Sequence, residues 1–498
     1  MTTLTSLARA HAVQHGLAQP VTTVRHLHVS ARPLVCVPLT MAGEVNAPLA
    51  MMLGRDRDTP RLLVVPQPRN RTLRFEFANQ LALIIQGYLG GVAIPVTVPG
   101  TNGRESTIRF ADAPQAWVPN RAGIDFFRLL GRSTRFRSTT GPYAVDLAVP
   151  RLGQWLTFLA ERAEYPGSSM LIAATQALTQ HWATGQSSLE DGNLAAVLGW
   201  IAPPPGMDGA QAAHVAEDPL TCPPAGPSTD TTFDREVLEP AMRAYDQAAD
   251  ETQRRRAFTR LERAVRGQLD PTWQRMWQAI DQLRALPAGE HVPRRWDHDA
   301  DAFFQYHTYL AEGGRPQPKR DSAVAAAMRL NQLERQQAEY DAQRAFDDPL
   351  VMAEYRLVGD AFAGTVTAAE PDRRVGSGRS AKLRPLITVL THDPIRLVPG
   401  DGPVTDHQRP KQTAVIEEVL ETTDGVEITL ELAGGMGRGL TAPAGTLPSV
   451  GDQVCFSILT DRYQPRGTFP AREDTPWTHG GPPLEPVPTS DDAQEEWS

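Results

Sequence analysis

Residues 362–459 carry the clearest periodic signal in the chain, a succession of short aliphatic and β-branched runs. Segments 362–367, 384–390, 412–420, 426–432 and 453–459 each read as a strand bounded by Gly, Pro, Asp or Asn. Val426, Ile428, Leu430 and Leu432 alternate with polar residues, which turns one face of that strand inward. Before it, Thr423-Asp424-Gly425 is a hairpin signal, because Asp-Gly supplies the positive φ angles of a tight primed turn. So many strands in so short a stretch fit a closed sheet better than an open one with exposed edges.

Upstream the period changes. A short helix at 2–19 precedes extended segments at 21–29 and 33–39, strands at 49–53 and 61–65, and a helix at 72–89. Strands at 92–98 and 107–110 flank a polar hairpin around Gly100–Gly103, and a helix follows at 122–130. Leu152, Trp155, Leu156 and Leu159 recur at helical spacing, and 168–183 continues in that manner. Ser187 and Glu190 have the spacing of a capping box, predicting a helix at 188–200. The dense Pro, Gly and small polar residues of 203–230 predict a linker. Helices are expected at 234–267, at 273–286 behind Asp270-Pro271, and at 322–346, the last capped by Ser322 and ended by Asp348-Pro349.

The fold class is therefore multidomain α+β. An N-terminal α/β domain (1–202) runs into helices, and the linker (203–230) leads to a central helical region (231–360) with a long stalk helix. A small OB-like β-barrel (361–467) follows, and a disordered acidic tail (468–498) holds Trp477 and Trp497.

Composition adds bounds. At 498 residues the chain exceeds what one core usually supports, and its 41% hydrophobic content is ordinary for a globular protein. Neither an apolar run of membrane length nor a secretory leader is evident, so a bacterial cytoplasmic location without membrane contact is expected. Cys36, Cys222 and Cys455 are too far apart to suggest disulfides or a zinc site. The net charge is −9, yet lysine occurs only at 319, 382 and 411 and arginine supplies the other basic residues. A GC-rich genome produces that bias; arginine also suits bidentate phosphate contacts, which on an acidic body must come from local patches.

Two patches qualify. At 100° per residue, Phe258, Leu261 and Val265 share one side of their helix, with Arg255, Arg256, Arg260, Arg263 and Arg266 away from it. In the barrel, the loop bearing Arg373, Arg374, Arg379, Lys382 and Arg384 and the glycine-rich loop bearing Arg438 fall where an OB-like barrel would place its ligand. Solvated faces are the plain alternative for both. Arg69, Arg71 and Arg74 at a helix start, and Arg132, Arg135 and Arg137 around Phe136, are weaker phosphate candidates. His26 with His28, and His181, are weak metal or catalytic candidates.

No ATP-binding loop or nucleophile motif is present, and no cofactor is implied. The expected function is that of a non-catalytic accessory subunit that contacts nucleic-acid phosphates beside a separate ATPase or nuclease subunit. One alternative is a protein–protein scaffold. The other is a divalent-metal hydrolase built around His298, Asp299, Asp301 and His307.

Overall fold

Strand β1 (Leu34–Thr40) is buried along its whole length, so its side chains enter two cores in alternation. Leu34 and Cys36 face one; Val35, Val37 and Leu39 face the other. The same period of two divides β2 (Pro48–Gly54), with Met51 and Leu53 on the first side and Ala50 and Met52 on the second. A strand buried on both faces reads as an uninterrupted apolar run, and 49–53 is one. The computed structural model that shows this describes residues 2–461 except 45–46, 101–104, 220–221, 224–225, 379–380, 407 and 438. The tail from 468, with Trp477 and Trp497, lies outside the described residues.

β1 and β2 are central in a five-stranded mixed sheet. Its order is β3 (Arg61–Val64), β2, β1, β4 (Ala116–Val118), β5 (Leu171–Ala173); the first three pair antiparallel and the last three parallel. Helices α1 (Arg71–Val92), α2 (Arg121–Thr134) and α3 (Ala148–Arg162) supply the first core, together with residues of the later helix Val292–Ala311. α4 (Glu251–Arg284) supplies the second, with the short helices Leu194–Ile201 and Glu239–Asp246; Val292–Ala311 is α5. α2 and α3 approach closely at two glycines. A Cβ on Gly153 would stand 2.3 Å from the Arg135 backbone nitrogen, and one on Gly131 would stand 2.8 Å from that of Thr157.

Some expectations change here, and residues 168–183, read as helical, hold strand β5 and then the helix Ala174–Thr179. The helices expected at 234–267 and 273–286 are redistributed: α4 runs unbroken through Pro271 and begins only at Glu251, capped by Asp250, whose side chain accepts from the Gln253 N–H at 2.8 Å. An internal proline costs about 3 kcal/mol, but Leu269, Trp273 and Met276 around it are fully buried and hold the helix to the sheet. The segment 203–230 contains a helix, Gly209–Glu217, opened by a capping box between Asp208 and Gln211. Leu198 before that segment and Leu238 and Leu261 after it lie in one core.

Residues 7–336 form one unit, and 2–6 with 337–461 form a second. In the second, six antiparallel strands close into a barrel: β6 (Ala361–Glu370), β7 (Leu386–Thr391), β8 (Pro403–Asp406), β9 (Gln412–Thr422), β10 (Gly425–Gly434) and β11 (Gln453–Ser457). Around the barrel the order is β6, β7, β10, β9, β8, β11. Five of these fall on the expected apolar and β-branched runs; β8 is the addition. Ile428, Leu430 and Leu432 point inward, as the alternation predicts, against Phe362 and Phe456. The hairpin closes on the pair Thr422 and Gly425. Asp348 caps the helix Pro349–Val358, and that helix is tied to the barrel by Arg356, bidentate to Asp393 at 2.7 and 2.9 Å.

The first unit contains a buried polar network. Gln115 Oε1 accepts from the Ser30 N–H and the Trp117 Nε1–H, both at 2.9 Å, while its Nε2 donates to the carbonyls of His28 at 2.8 Å and Ser169 at 2.9 Å. The Ser169 N–H in turn donates to Asp299 Oδ2 at 2.7 Å, and Ser168 Oγ and Arg162 Nη2 donate to Asp299 Oδ1 at 2.7 and 2.9 Å. Beside it the His28 ring stacks on Trp296, with centroids 4.1 Å apart. Burial pushes the His28 imidazole down from 6.5 to about 4, with Arg25 adding to the effect and Asp112 opposing it. Between those values the unfolded chain binds a proton that the folded chain does not. The stabilisation is therefore complete above about pH 6.5 and is lost as pH falls toward about 4. Urea midpoints should drop over that interval, and less steeply in His28→Gln. An imidazole resonance for His28 titrating near 6.5 by NMR would refute this.

Candidate nucleic-acid interface

On α4 the side facing the sheet is set by Ala257, Leu261, Val265 and Leu269, all buried; Phe258 lies half-buried at its margin. Away from that side, Arg255, Arg256, Arg260 and Arg263 are exposed and Arg266 is half-buried. Arg255 lies 3.9 Å from Glu251 and Arg266 lies 4.0 Å from Glu262, both loose intrahelical pairs. Arg256, Arg260 and Arg263 occur at i, i+4 and i+7, forming one stripe. Among the described residues no carboxylate pairs with any of these three. The stripe thus presents neighbouring unneutralised guanidinium groups on a helix whose opposite face is anchored.

The barrel loop arginines are placed differently. Arg373 Nη1 donates to Glu431 at 2.7 Å, and Arg384 Nε lies 3.4 Å from the same carboxylate. These two cations, expected to face a ligand, close onto the outer surface of β10. Arg374 and Lys382 are exposed on a short ladder that pairs Arg374 with Leu383 and Val375 with Lys382. Residues opposite one another share a face, so this register turns Arg374 and Lys382 to opposite faces. Arg379 and Arg438 lie outside the described residues. Around Arg438, Gly434 and Gly435 have φ of +73° and +68° and pack against the Lys411 backbone, so the loop geometry itself calls for glycine there.

The weaker cationic candidates are internally engaged. Arg69 bonds Glu44, Arg71 donates to the Tyr143 carbonyl, and Arg74 is buried. Arg135 donates to the Gln317 and Pro318 carbonyls, and Arg137 to that of Ser133. His181 is buried; its Nε2 accepts from the His26 N–H at 3.1 Å, and its Nδ1 lies 2.7 Å from the Ala177 carbonyl.

The four residues of the hydrolase alternative are engaged with different partners. Asp299 is buried in the network above, Asp301 accepts from Arg109 Nη1 at 2.5 and 2.7 Å, and the His307 ring packs edge-on to Phe110. His298 is exposed. Among the described residues no group of three or more His, Cys, Asp or Glu is arranged to hold a metal ion, and no helix is long and apolar enough to cross a membrane.

Compared with protein-family models, curated proteins and solved structures, the chain matches none.

The strand alternation carries one half of this arrangement and the strand pairing the other. If Val426, Ile428, Leu430 and Leu432 face inward, then Glu427 and Glu431 face outward. The pairing of Glu431 with Leu386, two residues beyond Arg384, then sets that carboxylate beside the arginine.

Proposed function

We propose that this protein is a non-catalytic accessory subunit of a bacterial, cytoplasmic nucleic-acid-processing system. It contacts phosphates through α4 and works beside a separate ATPase or nuclease subunit. The observation carrying this reading is the stripe Arg256, Arg260 and Arg263, exposed and unpaired on a helix held from behind. Phosphate contacts of this kind release condensed counterions and give affinity without base specificity. Arg255 and Arg266 flank the stripe and extend its positive field. The barrel adds a second, OB-like contact through Arg374, Lys382 and the loop bearing Arg438, with a smaller share because Arg373 and Arg384 are held by Glu431.

Fluorescence anisotropy with labelled single- and double-stranded DNA and RNA over a salt series tests this. The wild-type protein should bind with steep salt dependence. Each phosphate contact contributes a slope of about 0.7 on single strands, so Arg256→Gln/Arg260→Gln/Arg263→Gln should flatten it by about two units and weaken binding about tenfold or more at low salt. Arg374→Gln/Lys382→Gln should have the smaller effect. No binding at low salt, or a triple variant that binds as well as wild type, overturns the reading.

A further inference from the structure

Where β2 ends and β1 begins, the first unit opens a cleft of about 520 Å³, within the range of small-molecule sites. Its rim carries Arg32, Arg55 and Arg61, all exposed, against the single carboxylate of Asp56. Among the described residues none of these arginines has an ion-pair partner. The strand geometry brings two of them together: Leu53 pairs directly with Arg61, so both lie on the α1 side of the sheet, and Arg55 follows two residues after Leu53. Leu34 and Leu53, both buried, line the cleft beneath them.

The opposite wall is α1, through Leu83, Ile84 and Gly87. Leu83 is 64% exposed, although it belongs to a helix whose other apolar residues are mostly buried. A Cβ on Gly87 would meet nothing within 4 Å. Glycine inside a helix costs about 0.5–1 kcal/mol relative to alanine, and here it leaves the wall without a side chain. Tyr88 Oη is used internally, donating to the Gln115 carbonyl at 3.0 Å, so the polar recognition groups are the guanidinium groups.

Three unpaired cations converging on a concave, partly apolar surface concentrate positive potential where a ligand can lie. Guanidinium groups match phosphate oxygens in bidentate geometry, while the apolar wall requires a body that does not need water. We propose that this cleft binds a phosphate monoester on an apolar or aromatic body of mononucleotide size. Its phosphate sits among Arg32, Arg55 and Arg61, and its body lies over Leu83, Ile84 and Gly87. The assignment is independent of the α4 stripe. The same chemistry is offered by a free mononucleotide and by the 5′-phosphorylated end of a strand.

Ligand-observed NMR and calorimetry on the full chain, with AMP, adenosine, inorganic phosphate, and oligonucleotides carrying a 5′-phosphate or a 5′-hydroxyl, test it. AMP should bind saturably, with adenosine and phosphate each at least about tenfold weaker. Arg55→Gln and Arg61→Gln should each weaken AMP about ten- to a hundredfold. Gly87→Leu, which fills the open wall at a position where leucine favours the helix, should abolish binding with an unchanged circular dichroism spectrum. Tighter binding of the 5′-phosphate oligonucleotide than of AMP identifies a strand end as the occupant, and the reverse identifies a free nucleotide. Absence of AMP and 5′-phosphate binding at millimolar concentration overturns the proposal. So does unchanged binding in Gly87→Leu, or loss of AMP binding in the Arg256/Arg260/Arg263 variant while the cleft variants retain it.

Discussion

Asp299→Ala is expected to destabilise the first unit by about 3–5 kcal/mol, the usual consequence of removing one partner from a buried ion pair. Asp299 is 1% exposed and accepts from Arg162, Ser168 and the Ser169 backbone. Its loss leaves a guanidinium, itself largely buried, facing no charge. Urea unfolding followed by tryptophan emission measures this, because Trp117, Trp155, Trp182, Trp200, Trp273, Trp277 and Trp296 are all in that unit and residues 337–461 contain none. Adding Arg162→Leu should recover part of the loss, since the orphaned charge disappears; a coupling of about 0.5–3 kcal/mol is expected for residues in contact. A single-variant loss below about 1 kcal/mol would rule out Asp299 as the anchor of α5 against α3 and the 168–169 segment.

Gln115→Leu should be comparably severe for a different reason. Gln115 is fully buried and satisfies four groups at once: the Ser30 N–H, the Trp117 indole N–H and the carbonyls of His28 and Ser169. Leucine fills similar space but offers no hydrogen bond. At about 1 kcal/mol or more for each buried group left unsatisfied, the loss is roughly 4 kcal/mol. The same unfolding measurement applies, and hydrogen exchange of the Ser30 amide should accelerate. Stability within about 1 kcal/mol of wild type would show that water replaces the amide and that the network is not what joins residues 28–30 to 115–117 and 169.

These two residues mark the limit of what local pattern conveys. Asp299 and Asp301 appear in the sequence as neighbouring ligand-type acids, but helical geometry turns them apart: one enters the core and the other meets Arg109 at the surface. Gln115 gives no sequence signal, because its partners at 28, 30 and 169 are distant in the chain. The stripe on α4 was readable, since a 100° period places Arg256, Arg260 and Arg263 opposite Leu261 and Val265 by local geometry alone. The cleft was not, because Arg32, Arg55 and Arg61 meet only through the pairing of β1, β2 and β3 and the packing of α1.

Residues within a few positions of one another dictate the apolar runs that make β1, β2, β7 and β9, the alternation of β10, the helix break at Asp348-Pro349, the hairpin at 423–425 and the charged side of α4. Long-range packing makes α4 continue through Pro271, makes β8 complete the barrel and gives Arg373 and Arg384 to Glu431. The same holds for the packing of helices from both sides of 203–230 into shared cores on the two faces of one sheet. Those outcomes depend on burial and pairing between distant segments, whose free energy outweighs local preference and leaves no periodic trace in the chain.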